Sequence, residues 1–140
     1  MKKISISFPA NLTVRASLLT EQEPVLVENL LSKLATPQKF VCNHSVSAGK
    51  IFDAYMRPAE EPAEKPKGNR LISASELHSG DILWDGEKLS VVYGDVVQPG
   101  VLGCVIGHAE VNPVFDKACL NIWYDIYREH SVSVITVAEE

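Results

Sequence analysis

Ile4, Ile6 and Phe8 alternate with Lys3, Ser5 and Ser7. After Pro9-Ala10-Asn11 the same rhythm resumes, with Leu12, Val14, Ala16 and Leu18 set against Thr13, Arg15 and Ser17. A period of two sends successive side chains to opposite faces, so this spacing predicts two half-buried strands joined by a turn. The period then lengthens. Val27, Leu30, Leu31 and Leu34 recur at i, i+3, i+4 and i+7, the apolar stripe of an amphipathic helix. Thr20 and Glu23 have capping-box spacing at its start, Pro24 is tolerable in a first turn that lacks intrahelical N–H partners, and Pro37 stops the helix.

Alternation returns at Phe40, Cys42, His44 and Val46, which share one side of a predicted strand, and Gly49 turns the chain into another from Lys50 to Met56. Residues 57 to 70 carry three prolines spaced by four and almost no apolar mass. Such a segment cannot offset its ordering entropy by burial and is expected as a mobile loop within the domain. Ser73 to Ser79 reads as a short helical turn. Asp81 to Trp84 and Lys88 to Tyr93 then read as a hairpin through Asp85-Gly86, and Val101 to Gly107 as one further strand. Asn112 is placed to cap a second helix with Pro113 at its first position and Phe115, Ala118, Cys119, Ile122 and Ile126 along one face. Val132 to Val137 closes the chain as a strand.

Strands outnumber helices, and a sheet closed on itself leaves no exposed edges. The expected fold is therefore mainly β, a closed barrel with two covering α-helices, in a single domain over residues 1–140. A chain of 140 residues is long enough for one core.

Composition narrows the function. A formal charge of -5 is the wrong sign for tracking phosphates, so nucleic acid is not an expected partner. No stretch reaches the ~18 apolar residues of a membrane span. The two lysines at the start lead into alternation rather than the apolar run of a signal peptide, which makes the cytoplasm the default location. Cys42, Cys104 and Cys119 are widely spaced among apolar neighbours and read as buried thiols, without the paired spacing of a zinc site or a disulfide framework. None of the eight glycines forms a dinucleotide or phosphate loop, so no cofactor is implied.

The order of elements resembles the cyclophilin-like barrels, in particular their small bacterial branch. Glu23-Pro24-Val25-Leu26-Val27-Glu28-Asn29-Leu30 is similar to the first cyclophilin helix. Gly80-Asp81-Ile82-Leu83-Trp84 and Val91-Val92-Tyr93-Gly94 are similar to the central hairpin of the bacterial barrels, and Val101 to Gly107, a helix and Val134-Ile135-Thr136-Val137 match the tail. The resemblance implies a cyclophilin-like β-barrel but not a prolyl isomerase. Where the isomerases carry Phe-His-Arg and then Gln-Gly-Gly-Asp, this chain reads Val41-Cys42-Asn43-His44-Ser45-Val46-Ser47-Ala48-Gly49, so the catalytic Arg is missing and no isomerase residue carries over. The superfamily also includes enzymes that condense amino acids with keto acids, which is analogy at the level of fold alone.

Candidate chemistry rests on single residues. His44, among polar Asn43, Ser45 and Ser47, is the expected acid/base. Tyr55 and Arg57 end a strand beside the long loop, where Arg57 offers a planar fork for a carboxylate and Trp84 and Tyr93 offer walls. His108 and Glu110 have the i, i+2 spacing that would let a carboxylate orient an imidazole; two groups are too few for a metal. His78 and His130 sit at turn and helix-end positions where histidine is ordinary. The functional expectation is a small-molecule ligand, carboxylate-bearing, held at a barrel mouth bordered by His44, Tyr55, Arg57 and Trp84. A peptide-binding module with weak or no isomerase activity is one alternative, and a non-catalytic subunit, self-associating as a homo-oligomer or packed on another chain, is the other.

Overall fold

The alternating segments form strands that pair into one closed antiparallel ring, although the strand expected through His44 and Val46 ends at Asn43 and the last strand begins at Val134 rather than Val132. The structure is a computed structural model and describes residues 2–56 and 65–140. In chain order the elements are β1 (Lys3–Phe8), β2 (Leu12–Leu18), α1 (Pro24–Lys33), β3 (Gln38–Asn43), β4 (Gly49–Met56), β5 (Ile72–Ser73), β6 (Asp81–Trp84), β7 (Lys88–Val96), β8 (Val101–Gly103), β9 (Val105–Ala109), α2 (Pro113–Tyr127) and β10 (Val134–Glu139). Eight strands close the barrel in the order β1-β10-β3-β4-β7-β6-β9-β2, and β5 pairs with β8 in a separate two-stranded ribbon. The protein is thus mainly β, a closed eight-stranded antiparallel barrel with two α-helices among the described residues.

Side chains fill the barrel. Ile4, Ile6, Phe40, Ile82, Trp84 and Ile135 are among the residues fully removed from solvent in its core cluster. Phe8 meets Phe52 edge-on at 6.0 Å between ring centroids, and Phe40 meets Trp84 at 6.3 Å. Helix α1 contributes Leu26, Val27 and Leu30 to the same cluster, and α2 contributes Phe115, Ala118, Cys119 and Ile122. Asn112 caps α2 as its position predicts, its Oδ1 accepting the Phe115 N–H at 2.9 Å.

One stretch departs from alternation for a physical reason. Leu89, Ser90, Val91, Val92 and Tyr93 are all buried because β7 is covered on both sides. Inside lies the main core. Outside, Ala48, Ile51, Leu83 and Val92 form a second apolar cluster with Leu77, Leu102 and Val105 packed against it.

That outer layer exists because the strand expected over Val101 to Gly107 is broken. Gly103 has a φ of 139°, in a region that side chains avoid. The break lets β8 leave the barrel to pair with β5, Ile72 opposite Gly103, while β9 continues the barrel wall.

The loop expected over 57–70 is described only from residue 65 onward. There it is held in place: Lys65 lies 3.6 Å from Glu87, and Asn69 is hydrogen-bonded to Gln22 and Glu23. Gly68 sits so close to Cys104 that an added Cβ would lie 2.3 Å from its sulfur. The second correction concerns the start of α1. Glu23 makes no cap to its own helix; its carboxylate turns instead to the backbone of Asn69 and Arg70.

Candidate functional site

Antiparallel register decides which of the candidate residues meet. In the β3–β4 hairpin Asn43 lies opposite Asp53, Val41 opposite Tyr55 and Phe40 opposite Met56. His44 follows one end of β3, whereas Tyr55 approaches the opposite end of the hairpin. A single mouth bordered by both is therefore not formed, because in a hairpin the end of one strand lies beside the start of the other. Arg57 lies outside the described residues. Tyr55 is half-buried, and burial, with Asp53 next in effect, raises its pKa.

His44 does meet Tyr93. The ring is 2% exposed, with Nδ1 2.9 Å from the Ser45 carbonyl and Nε2 2.6 Å from the Tyr93 hydroxyl. A carbonyl only accepts, so Nδ1 carries the proton and Nε2 accepts from Tyr93. Trp123 packs edge-on against the imidazole at 5.0 Å, and the Tyr127 hydroxyl donates to the His44 carbonyl. Burial lowers the His44 pKa, outweighing the Ser45 hydrogen bond and the Asp53 charge that favour the cation. Burial likewise pushes the Tyr93 phenol up to about 12. This neutral, fully partnered pair fastens the β3 end to β7 and α2. It has no ring nitrogen left for a substrate, which corrects the acid/base role expected of His44.

Trp84 is also withdrawn. Its indole is 1% exposed and donates through Nε1 to Asn29 Oδ1 of α1 at 2.9 Å. Trp84 and Tyr93 are walls of the core rather than of a mouth. The three thiols are buried and free. Burial raises the pKa of each, Cys42 to about 12, which keeps them protonated and unreactive near neutral pH.

A cleft lies elsewhere, on the outer face of the barrel. It has a volume of about 470 Å³ and is lined by Leu19, Gln22 and Glu23 before α1, Arg70, Ile72, Glu76 and His78 around the β5 ribbon, and Asp81, Val105 and His108 of β6 and β9. Its volume falls in the range of small-molecule sites.

Asp81 and His108 stand directly opposite each other across β6 and β9 and therefore share a face. Asp81 Oδ1 accepts from His108 Nδ1 at 2.8 Å, and Oδ2 accepts the His78 N–H at 2.8 Å. The Asp81 side chain is 8% exposed and the His108 side chain 55%. A buried carboxylate thus fixes the tautomer of an accessible imidazole and leaves Nε2 as a basic lone pair beside the cleft. The expected partner of His108 was Glu110. That residue is exposed beyond the end of β9, and its backbone N–H donates to the Arg15 carbonyl. The orienting carboxylate comes from the neighbouring strand because β9 ends at Ala109, which ends the i, i+2 relationship.

The rest of the cleft is charged. Arg70 Nη2 donates to Glu76 Oε2 at 2.9 Å, and Glu76 Oε1 accepts the Ser73 hydroxyl at 3.1 Å, which anchors the guanidinium to the ribbon. Glu23, 3% exposed, accepts the backbone N–H groups of Asn69 and Arg70. Of the described residues, three carboxylates and one guanidinium therefore line one space. Among the described residues no group of three or more His, Cys, Asp or Glu is arranged to hold a metal ion. No helix among them is long and apolar enough to cross a membrane.

Fold and cleft together define a closed antiparallel barrel with a ligand-sized opening on its outer wall. A solved structure with this fold is that of McbB in complex with tryptophan, similar at a TM-score of 0.80 with 18% sequence identity over 96% of this chain. The chain spans 44% of the length of that McbB chain. No family model matches the chain, and no curated protein matches its sequence.

Proposed function

We propose that the outer cleft binds a small amino-acid-like metabolite and that His108, oriented by Asp81, moves a proton on it. The Asp81–His108 pair carries this reading: a buried carboxylate holding the imidazole at 2.8 Å, with Nε2 free to accept a proton at an opening of ligand size. The carboxylate of such a ligand is assigned to Arg70, whose fork keeps donors beyond the one given to Glu76. Its ammonium is assigned to the Asp81 side of the cleft. The tryptophan complex of McbB supports an amino acid as the first ligand to try. The order of strands and helices supports a cyclophilin-like barrel as the scaffold of this site.

Titration calorimetry with tryptophan and other amino acids, in parallel with the His108→Ala and Arg70→Ala proteins, tests the reading. The expected result is saturable binding by the parent protein and a loss of affinity of about tenfold in Arg70→Ala, the scale of a charge-assisted contact. In His108→Ala any proton-transfer step disappears while the fold persists. Absence of binding by every amino acid removes the proposal and returns the non-catalytic subunit as the better reading.

A further inference from the structure

Glu23 occupies the residue before Pro24, where a side chain ordinarily caps its own helix, yet it makes no such contact. Its carboxylate is buried and has no salt bridge among the described residues. One oxygen accepts the Asn69 N–H, and the other accepts the same N–H at 2.9 Å and that of Arg70 at 3.3 Å. Asn69 closes the contact from its side, Nδ2 donating to the Gln22 carbonyl at 2.9 Å. Gly68, next to Asn69, packs closely on Cys104. Residues 68–70 are thereby fastened to the start of α1, at the one guanidinium that lines the cleft among the described residues.

A buried carboxylate is costly unless its hydrogen bonds are satisfied, and here the donors come from a strap rather than from the helix it precedes. A side chain as long and as exposed as Arg70 would otherwise sample many positions. Its backbone is held by Glu23 and its head by Glu76, which leaves a narrow set of guanidinium positions over the cleft.

We infer that Glu23 is a positioning residue for ligand recognition: by clamping the Asn69–Arg70 backbone it sets where Arg70 meets the ligand carboxylate. This inference rests on the reading of the cleft as an amino-acid site. Glu23 then acts on the carboxylate end of the ligand only, through Arg70, and a ligand without a carboxylate is indifferent to it.

The test is a double-mutant cycle read with two probes, tryptophan and its decarboxylated counterpart tryptamine. Glu23→Ala is expected to weaken tryptophan by about tenfold and tryptamine by less than about twofold, the pattern also expected of Arg70→Ala. The double variant is expected to bind tryptophan no more weakly than Arg70→Ala alone, because the clamp has no other route to the ligand. Glu23→Gln keeps one accepting oxygen and serves where Glu23→Ala does not fold; its tryptophan affinity is expected to fall between those of the parent and Arg70→Ala. Equal loss of both probes, or additive losses in the double variant, overturns the positioning role while leaving the amino-acid site intact. Absence of binding of either probe to the parent protein overturns the site reading and the positioning role with it.

Discussion

His44 and His108 are both imidazoles held through Nδ1 by an oxygen acceptor, and they differ in what faces Nε2. At His44 the acceptor is a carbonyl, and Nε2 is occupied by the Tyr93 hydroxyl inside an aromatic packing of Trp123 and Tyr127. At His108 the acceptor is a buried carboxylate, and the ring lines a cleft. The first environment disfavours the cation by desolvation, whereas in the second the carboxylate fixes the orientation of a ring that remains accessible. Polar neighbours in sequence pointed to His44, but the fourth side of the ring decides between a structural histidine and a chemical one.

The sharpest way to break this contrast is to remove each ring. His44→Ala takes a buried ring from the core and leaves the Tyr93 hydroxyl without its partner, so a loss of about 3 kcal/mol in urea-unfolding stability is expected. His108→Ala removes a largely exposed ring, and its stability loss is expected to stay under about 1 kcal/mol. Equal losses in the two proteins would erase the distinction between the sites.

The contrast is sharpened by pH. The folded-state pKa of His44 lies below its ordinary 6.5, so the unfolded chain takes the proton first as pH falls. The stability contributed by the neutral ring is complete above pH 6.5 and declines below it, levelling off once the folded ring is also protonated. Tyr93 acts at the other extreme. Its folded-state pKa is raised from 10.0 to about 12, so the unfolded chain ionises first and stability declines as pH rises across that interval. Denaturation curves collected across both windows should show these slopes reduced in His44→Gln and Tyr93→Phe respectively. Unaltered slopes would assign them to other groups.

The smallest effect is expected at the strap. Lys65 lies 3.6 Å from Glu87 and 3.9 Å from Asp85, but its side chain is 59% exposed. Exposed pairs of this kind contribute little, so Lys65→Ala should cost no more than about 0.5 kcal/mol and should leave the cleft unaffected. A larger loss in thermal unfolding would mean that the strap is anchored chiefly by this pair rather than by the Glu23 clamp.

Much of the fold is legible in local pattern. The alternation of Ile4, Ile6 and Phe8, the i, i+3, i+4 stripe of α1 and the Asn112-Pro113 start of α2 each depend on neighbours within one or two turns of chain, and each element forms where its pattern lies. The site was legible only in fragments. His108 was singled out, yet its partner Asp81 stands 27 residues away and meets it only through the pairing of β6 with β9. Glu23 was read as the partner of Thr20 in a capping box because three-residue spacing is a local signal. Its contacts with Asn69 and Arg70, 46 and 47 residues away, leave no trace in spacing.

By itself the sequence determined the periodic elements, their types and the apolar faces that oblige a mainly β chain to close. These follow from side-chain direction and backbone sterics, which act over a few residues. Only the tertiary structure decided that His44 is sealed, that the β5–β8 ribbon covers the barrel wall and that Glu23, Arg70, Asp81 and His108 line one cleft. Those outcomes depend on strand register and chain crossing, where one residue of slip exchanges inner and outer faces, and no local signal specifies them.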